Sequence, residues 1–282
     1  MKILMTGATS FTGKHLLTTL LSSGDTVFHL VRNKRGIDNE FLWNFKDAVP
    51  KEIPACDVVI HLAAYVDFSM PLNVEQYHVN TISTLKLSAY AKSSRAYFIL
   101  ASMSGVHGTH FNTVDEETPI APETHYALSK YLAEEIIKTY VDDYSILRLC
   151  GIYGINGPAH LGLNRAITSA VNLGIVPVLN GSGEGKRNYI CVLDAVLWIL
   201  HLIKQYEAKR SARSEKIQET LYLAGPEIMT IEQYLQMIVD VILPEKKLVR
   251  MPGKSSSDMI VKPSPAPFKH RTFKEYLSSL AQ

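Results

Sequence analysis

A tyrosine and a lysine four residues apart could together carry out proton transfer in this chain. Tyr126 and Lys130 fall in a stretch predicted to be helical at about residues 126 to 140, so both side chains lie on one helical face. A neighbouring ammonium stabilises a phenolate and is expected to lower the pKa of the tyrosine from its ordinary value of ~10, which suits general acid/base catalysis. Because the chain has 14 tyrosines, the pair alone indicates little, and the interpretation depends on the motifs around it.

A glycine-containing turn near the N-terminus could bind a phosphate group. Residues 6 to 13 read Thr-Gly-Ala-Thr-Ser-Phe-Thr-Gly and lie between a predicted strand and a predicted helix. In such a turn backbone N–H groups approach a pyrophosphate, and the helix N-terminus adds a favourable partial charge. Gly7 would allow the tight turn and Gly13 would let the helix pack closely on the sheet, while Ser10 stands where a third glycine is usual. The turn follows the first strand directly, which favours a dinucleotide site over an ordinary connection.

The residues that follow the second predicted strand indicate which dinucleotide the site prefers. In NAD sites an acid about 20 residues after the turn holds the ribose diol, whereas an arginine there accommodates the 2′-phosphate of NADP. Here the strand at residues 26 to 31 is followed by Arg32, Asn33 and Lys34, with no acid among them. The two cations favour NADP(H), while NAD(H) stays open and a solvated basic loop is the alternative interpretation.

Strand and helix signals alternate along the first half of the chain. Short apolar runs predict buried strands, and apolar residues at helical spacing predict the helices between them. The predicted strands are residues 2–5, 26–31, 57–62, 97–101 and 144–150, and the predicted helices are residues 12–21, 74–93 and 126–140. This alternation predicts an α/β fold built on a doubly wound parallel Rossmann sheet.

The pattern changes beyond residue 155. Glycine and proline interrupt residues 156 to 187, an apolar helix is predicted at 192 to 203, and a stretch rich in Pro, Ser and Lys at 252 to 267 precedes a predicted short helix at 272 to 280. We therefore predict a dinucleotide-binding Rossmann domain of residues 1–155 with about 188–205, and a smaller C-terminal substrate-binding lobe of about 156–187 and 206–282.

The composition limits the partners and the compartment. With 29 Lys and Arg against 27 Asp and Glu, the net charge of +2 is too balanced for a nucleic-acid partner. Cys56, Cys150 and Cys191 form no C-x-x-C pair, and the ten histidines lack convincing carboxylate partners, so we expect reduced thiols in a cytoplasmic protein and no bound metal. Neither a signal peptide nor an apolar stretch of ~20 residues is evident, so no membrane partner is expected.

Further motifs follow the turn in a fixed order along most of the chain. They are Asp57–Ala64, Asn80–Thr84, Tyr126–Lys130, Leu147-Arg148 with Tyr153-Gly154, Gly181-Ser182-Gly183, and Arg187–Ile190 with Val192–Asp194. Taken in this order they resemble the extended short-chain dehydrogenase/reductase family, the NAD(P)-dependent epimerase/dehydratase group that acts on nucleotide sugars.

The resemblance implies a role for each matching residue. Tyr126 would give or take a hydroxyl proton as hydride moves, Lys130 would also hold the nicotinamide ribose, and Arg187 would grip the diphosphate of the substrate. A homodimer through the helices near 74–93 and 126–140 is also implied. The residues expected to bind the dinucleotide are Gly7, Thr9, Ser10, Phe11, Thr12, Gly13, Arg32, Leu62, Ala63, Ala64, Asn80, Tyr126 and Lys130.

One catalytic group of the family has no counterpart. The family places a Ser or Thr near the end of the strand before the tyrosine, and Met103 stands there, although a thioether cannot donate a hydrogen bond. Three alternatives stay open: Ser102 or Ser104 substitutes through a local shift, the tyrosine works without this group, or the protein binds cofactor and has lost turnover. We retain Ser102 as a catalytic candidate and Ser104 as a substrate-binding candidate.

The same segment bears on the type of reaction. Dehydratases of the family place an Asp-Glu pair where this chain has Ser104 and Gly105, so dehydration is disfavoured. Epimerases retain NAD through the cycle whereas reductases exchange NADPH, so Arg32 favours reduction of a keto sugar. Gly151 replaces an Asn that usually lies near the substrate, which leaves the sugar and its nucleotide unassigned.

These observations predict an enzyme, an NAD(P)-dependent reductase or epimerase of a nucleotide-linked sugar. A catalytically impaired NADP-binding regulator or scaffold with the same fold is the alternative, and a reductase of a non-sugar carbonyl is a third hypothesis.

Overall fold

The computed structural model describes residues 1–69, 71–212 and 216–281. The chain divides into two compact units, the first made of Met1–Gly108, Pro119–Arg148 and Val196–Leu221, and the second of Thr109–Thr118, Leu149–Ala195 and Tyr222–Gln282. Residues 213–215 and 282, which belong to the predicted lobe segment 206–282, lie outside the described residues.

Strands and helices alternate through most of the described chain. The strands are β1 (Lys2–Thr6), β2 (Thr26–Val31), β3 (Glu40–Leu42), β4 (Val58–His61), β5 (Tyr97–Met103), β6 (Thr113–Val114), β7 (Tyr144–Leu149), β8 (Ile152–Tyr153), β9 (Val178–Asn180), β10 (Lys186–Arg187), β11 (Ile190–Cys191), β12 (Gln218–Leu223), β13 (Met229–Thr230), β14 (Val249–Met251) and β15 (Ile260–Val261). The helices are α1 (Phe11–Ser22), α2 (Val74–Tyr77), α3 (Ser83–Ser94), α4 (His125–Tyr140), α5 (Gly162–Leu173), α6 (Val192–Ala212), α7 (Ile231–Ile242) and α8 (Phe273–Ser278). A π-helical turn, His78–Ile82, joins α2 to α3, and a 3₁₀ turn, Ser104–His107, follows β5.

A seven-stranded sheet organises the first unit, with the strand order β12-β7-β5-β4-β1-β2-β3. β1 pairs in parallel with both β2 and β4, so that Ile3 lies opposite Val27 on one side and Val58 on the other. The chain builds outward from β1 to β3, then returns to the other side of β1 with β4. The predicted α/β class and doubly wound sheet are confirmed. In such sheets ligands bind beside the carboxyl ends of the strands where the order reverses, which here are those of β1 and β4.

The central strands are apolar because helices cover both faces of the sheet. All four residues of β4 are buried, as are the last four of β1 and the last five of β2. One face packs in a continuous core that includes Leu4, Phe28, Leu30, Val59, Phe98 and Ile146. The near-continuous apolar runs in the sequence therefore reflect burial on both sides.

The first helix begins where its sequence provides a cap. Ser10 has extended backbone dihedral angles, and its hydroxyl accepts a hydrogen bond from the N–H of Gly13 at 3.1 Å. Gly13, Leu16 and Leu20 then form the buried stripe that faces the sheet.

The second unit has its own core, built around α5, α7 and α8. Ile167 of α5 and Ile238 of α7 are completely buried in it. Neither α5 nor α7 was predicted from the sequence, although α7 carries a recognisable start signal. Thr230 and Gln233 form a capping box, and buried residues recur at helical spacing after it. α5 has no side-chain cap, so its start carries no comparable signal.

The region after residue 192 also differs from the sequence prediction. The helix predicted at 192 to 203 continues to Ala212, and β12 completes the edge of the large sheet beside β7. Residues up to Leu221 therefore belong to the first unit, whereas the predicted boundary placed everything from 206 onward in the C-terminal lobe. No described helix, including the 21 residues of α6, is long and apolar enough to cross a membrane.

Replacing Ile167 by Ala should destabilise the second unit. Ile167 is 0% exposed, so the truncation leaves a cavity and is expected to cost about 2 to 5 kcal/mol of unfolding free energy. The matched control is Leu173→Ala in the same helix, where the side chain is 68% exposed and the change should stay within about 0.5 kcal/mol. Urea unfolding followed by fluorescence measures both, and equal effects would contradict the observed packing of α5.

Candidate functional site

The turn between β1 and α1 brings three backbone segments into close contact. Gly7 has φ +73°, and a Cβ atom there would lie 2.6 Å from the amide nitrogen of Ala63. A Cβ atom on Gly13 would lie 2.0 Å from the carbonyl oxygen of Gly7. The turn is closed by a hydrogen bond from the N–H of Ser10 to the Gly7 carbonyl at 2.9 Å. Both glycines are therefore required sterically, as expected from the sequence.

A cavity of about 310 Å³ lies against this turn, beside the ends of β1, β2 and β4. It is lined by Gly7, Ala8, Thr9, Ser10, Leu30, Val31, Arg32, Asn33, Arg35, Phe45, Ala63, Ala64, Tyr65 and Val79. Six of the residues predicted to bind a dinucleotide are among them: Gly7, Thr9, Ser10, Arg32, Ala63 and Ala64. The other seven, Phe11, Thr12, Gly13, Leu62, Asn80, Tyr126 and Lys130, are not part of this lining.

The cavity fits the anionic part of a dinucleotide. Thr9 and Ser10 bring it to the N-terminus of α1, a 12-residue helix with no acidic residue in its first turn. Unpaired N–H groups and the helix dipole at such a terminus favour a phosphate group. No carboxylate is among the lining residues of the described chain.

The basic loop after β2 contributes different residues from those predicted. Arg32, Asn33 and Arg35 line the cavity, whereas Lys34 does not. Lys34 was predicted in place of Arg35, because which side chains of an irregular loop face a cavity cannot be inferred from its composition. Within the described ranges, neither Arg32 nor Arg35 forms an ion pair with a carboxylate.

Lys130 lies inside the first unit, where it is 2% exposed. Burial lowers its pKa to about 8, and the Glu134 carboxylate, one helical turn further on, acts in the opposite direction. Nearby, His61 is held between the hydroxyls of Thr6, at 2.6 Å from Nδ1, and Ser83, at 3.1 Å from Nε2. Burial, with a smaller contribution from Lys130, lowers the pKa of His61 to about 3, so this imidazole is neutral.

Tyr126 occupies the first turn of α4, but its environment is not the one expected from the sequence. The ring of Phe68 packs edge-on against it, with 5.3 Å between the ring centroids. Burial raises the pKa of Tyr126 to about 12, whereas a lowering by Lys130 was expected. That expectation was wrong because desolvation of the phenolate by burial dominates the pKa of Tyr126. The phenol is therefore protonated at neutral pH.

The hydroxyl of Ser102 is already used within the protein. It donates a hydrogen bond to the carboxylate of Glu134, which also receives the guanidinium of Arg148 at 2.7 Å. The same guanidinium approaches Nε2 of His107 at 3.1 Å, and all four side chains are buried. Ser102 has no second proton to offer a substrate while this bond stands.

Met103 and Gly105 are sterically coupled. A Cβ atom on Gly105 would lie 2.3 Å from Cε of Met103. The methionine side chain thus takes the space that an acidic side chain at position 105 would need. Ser104, which begins the 3₁₀ turn after β5, is only half-buried.

Asn80 braces the segment that follows β4. Its side-chain oxygen accepts the N–H of Tyr65 at 2.8 Å, and its amide nitrogen donates to the Tyr65 carbonyl at 3.0 Å and to Ser129 Oγ at 2.9 Å. Asn80 is fully buried, so in this structure it connects the loop to α4.

The second unit contains a separate cavity of about 530 Å³. Arg187 lines it, and its guanidinium donates to the carbonyls of Lys186 and Ser257. Tyr189 also lines it and explains Gly151, because a Cβ atom on Gly151 would lie 2.6 Å from the tyrosine ring. The remaining lining residues are mostly apolar and come from α5, the segment 175–180 and α7.

With this fold and these motifs, the chain belongs to the NAD dependent epimerase/dehydratase family, whose model matches residues 3–217. The predicted membership of the extended short-chain dehydrogenase/reductase family is confirmed, and with it the class of NAD-dependent enzymes.

Individual known proteins are similar over nearly the whole chain. The uncharacterized UDP-glucose epimerase YtcB of Bacillus subtilis is 25% identical over 268 residues, which cover 86% of this chain and 82% of that protein. The solved UDP-N-acetylglucosamine 4-epimerase from Bacillus cereus has a TM-score of 0.80 at 19% identity, covering 99% of this chain and 98% of the other. UDP-glucuronic acid 4-epimerase from Bacillus cereus, solved in complex with NAD, has a TM-score of 0.77 at 19% identity, and the match covers 100% of this chain and 96% of the other. At these identities the solved structures establish the fold.

Removing the buried ammonium should change how stability depends on pH. The native pKa of Lys130 is about 8 and the unfolded value is ~10.4, so between these pH values the unfolded chain binds more protons and wild-type stability rises with pH. Lys130→Met should therefore be more stable than wild type at pH 7, by on the order of 2 kcal/mol, and lose this advantage by about pH 10. Urea unfolding at several pH values measures the difference. Lys138→Met on the exposed side of α4 is the control, and a variant less stable than wild type at pH 7 would contradict the assignment.

Proposed function

We propose that this protein is an NADP(H)-dependent oxidoreductase of a nucleotide-linked sugar, acting as a keto-sugar reductase. An epimerase that retains NAD is the nearest alternative within the family. The observation that carries the proposal is the pair of arginines, Arg32 and Arg35, at a cavity whose described lining residues include no acid.

Charge is the basis of the cofactor preference. The 2′-phosphate of NADP is an anion that guanidinium groups bind through paired, charge-assisted hydrogen bonds. Arg32 and Arg35 are exposed and form no ion pair within the described chain, so both guanidinium groups are available to bind an anion. An NAD site would place an acid at the ribose diol, and the lining of this cavity has none among the residues that the structure describes. The NAD bound to the Bacillus cereus relative keeps NAD(H) as the alternative cofactor.

The remaining contacts of the dinucleotide follow from the turn. The backbone N–H of Thr9, beside the start of α1, would bind the pyrophosphate, with Gly7 and Gly13 allowing the close approach, whereas the N–H of Ser10 donates to the Gly7 carbonyl. Ala63 and Ala64 would contact the adenosine side of the cofactor. The bound nicotinamide would supply or accept the hydride.

The protonation state of Tyr126 supports a role in reduction. Its pKa of about 12 keeps the phenol protonated, and a protonated phenol can donate to the oxygen of a carbonyl as hydride is delivered. Lys130, one turn along α4, would stabilise the resulting phenolate. Ser102 donates to Glu134, so we propose Ser104 as the polar group nearest the reacting oxygen.

Dehydration is disfavoured by the residues after β5. Ser104 and Gly105 stand where dehydratases use an acidic pair, and the end of the Met103 side chain occupies the space beside Gly105. The missing Ser or Thr at position 103 also supports the second candidate function, an NADP-binding regulator with little turnover. The two candidates share the cofactor site and differ only in catalysis.

The substrate class is inferred from the second unit and from the relatives. The relatives are named for UDP-glucose, UDP-N-acetylglucosamine and UDP-glucuronic acid. We propose that the 530 Å³ cavity takes the nucleoside diphosphate of such a substrate, with Arg187 on the phosphates. A homodimer through the helices near 74–93 and 126–140 remains a prediction of the family resemblance, and a cytoplasmic location remains a prediction from the composition of the sequence.

Reversing the charge of Arg32 should remove the preference for NADPH. We expect Arg32→Asp to weaken NADPH binding by roughly 100-fold, because it removes a charge-assisted contact and adds repulsion, and to leave NADH binding nearly unchanged. Lys34→Asp makes the same charge change outside the cavity lining and should have a much smaller effect. Fluorescence titration of each variant with each nucleotide measures the dissociation constants. A wild-type protein that binds neither nucleotide would overturn the proposal.

Removing the hydroxyl of Tyr126 should abolish most of the catalysis. With NADPH and a panel of keto-sugar nucleotides, Tyr126→Phe should lower kcat by about 10²- to 10⁴-fold while the NADPH dissociation constant stays the same. Tyr140→Phe, at the exposed end of the same helix, is the matched control. If wild-type protein binds NADPH but turns over none of these substrates, the regulator becomes the favoured function.

A further inference from the structure

The basic loop, defined as residues Arg32–Ile37, is held in place by a single carboxylate. One oxygen of Glu40, Oε2, accepts backbone N–H bonds from Arg35 at 2.7 Å, Gly36 at 3.1 Å and Ile37 at 3.2 Å. Gly36 has φ +78°, which lets the chain turn so that three successive N–H groups point to one oxygen.

Glu40 is separated from the cavity that its loop serves. It lies on β3, is 8% exposed, and is not among the residues lining the cavity. On the neighbouring strand it faces His29, which is itself buried and whose pKa is lowered by burial. The N–H bonds, above all that of Arg35, hold the pKa of Glu40 below its usual value, so the group is a carboxylate at neutral pH.

The hydrogen bonds of Glu40 affect whether the nearby arginines can bind an anion. A carboxylate near two arginines ordinarily forms ion pairs with them and so competes with a phosphate. Here three backbone N–H groups bond one oxygen of the carboxylate, and within the described chain Arg32 and Arg35 have no ion-pair partner. The same bonds restrict the backbone of the loop at Arg35, so less backbone freedom is left to lose when a ligand binds.

We propose that Glu40 is a positioning residue for recognition of the 2′-phosphate of NADP(H), acting by ordering the basic loop so that Arg35 joins Arg32 at the cavity. The inference rests on the proposed preference for NADP(H). It adds a residue that touches no part of the ligand and whose own charge opposes the binding of a phosphate.

The sign of the effect separates positioning from simple electrostatics. If Glu40 acted only through its charge, removing that charge would strengthen the binding of a phosphate. If it acts by ordering the loop, removing it weakens the binding. Loss of overall stability would instead affect the binding of all ligands of the cavity alike.

Two adenosine ligands isolate the 2′-phosphate. Adenosine 2′,5′-bisphosphate and adenosine 5′-monophosphate differ only in that group, and calorimetric titration of the full chain gives both dissociation constants. The variants are Glu40→Ala, Glu40→Gln and, as the matched control, Asp38→Asn, which removes an exposed carboxylate two residues away. Thermal unfolding of each variant reports whether it is folded.

Glu40→Ala is expected to raise the dissociation constant of the bisphosphate by about 3- to 10-fold and to change that of the monophosphate by less than about twofold. Glu40→Gln keeps an acceptor oxygen without the charge, so it should also weaken the binding of the bisphosphate more than that of the monophosphate, but by a smaller factor than Glu40→Ala. If the alanine variant does not fold, the glutamine variant provides the test. Asp38→Asn should leave the affinity for the bisphosphate unchanged or increase it slightly.

Three results would overturn the inference: tighter bisphosphate binding in both Glu40 variants, an equal loss for the two ligands, or no change for either. A wild-type protein that binds both ligands equally would instead contradict the proposed NADP(H) preference itself.

Discussion

The close approach of backbone segments at the ends of β1 and β4 is the constraint on which the rest of the first unit depends. Without side chains at Gly7 and Gly13, the turn can lie against Ala63 and α1 can pack directly on it. That contact sets where α1 begins, directs its N-terminus to the cavity, and fixes the edge of the sheet at which the strand order reverses. Because clashes of 2.0 to 2.6 Å cannot be relieved by rotating a side chain, this geometry tolerates no substitution without movement of the backbone.

The first unit also depends on hydrogen bonds and charge pairing among buried polar side chains. Glu134 accepts from both Ser102 and Arg148 and also lies near Lys130, so one carboxylate compensates several groups that burial would otherwise leave unpaired. These side chains come from β5, α4 and β7, and their hydrogen bonds specify how the helix sits on the sheet. Tyr126, on the same helix but without such compensation, keeps its proton. The protonation states of Lys130 and Tyr126 thus follow from the packing of α4.

The site differs from the general pattern of its family in a connected way. The end of the Met103 side chain occupies the space beside Gly105, and the ring of Tyr189 occupies the space beside Gly151. In each pair the glycine leaves space for the larger side chain, so the two differences from the family pattern in each pair are sterically related. They are compatible with a protein that keeps the fold and cofactor turn of the family while handling its substrate differently.

The sequence by itself determined the elements that carry local signals. β1, β2, α1 and α4 were predicted nearly to their ends, because apolar runs, helical spacing and glycine positions are encoded within a few residues. Family membership followed from the order of short motifs. By contrast α5, α7 and the edge strand β12 were not predicted. α5 has no side-chain cap and β12 is partly polar, so both give little local contrast, whereas the capping box of α7 is a signal that the prediction did not use.

Only the tertiary structure decided which side chains of these elements meet. It selected Arg35 instead of Lys34 for the cavity, bound the proton of Ser102 to Glu134, and raised the pKa of Tyr126 that the sequence suggested would be lowered. Each of these outcomes depends on groups far apart in the chain or on the course of an irregular loop. Burial and hydrogen-bond partners are properties of the packed chain, and no local pattern of residues specifies them.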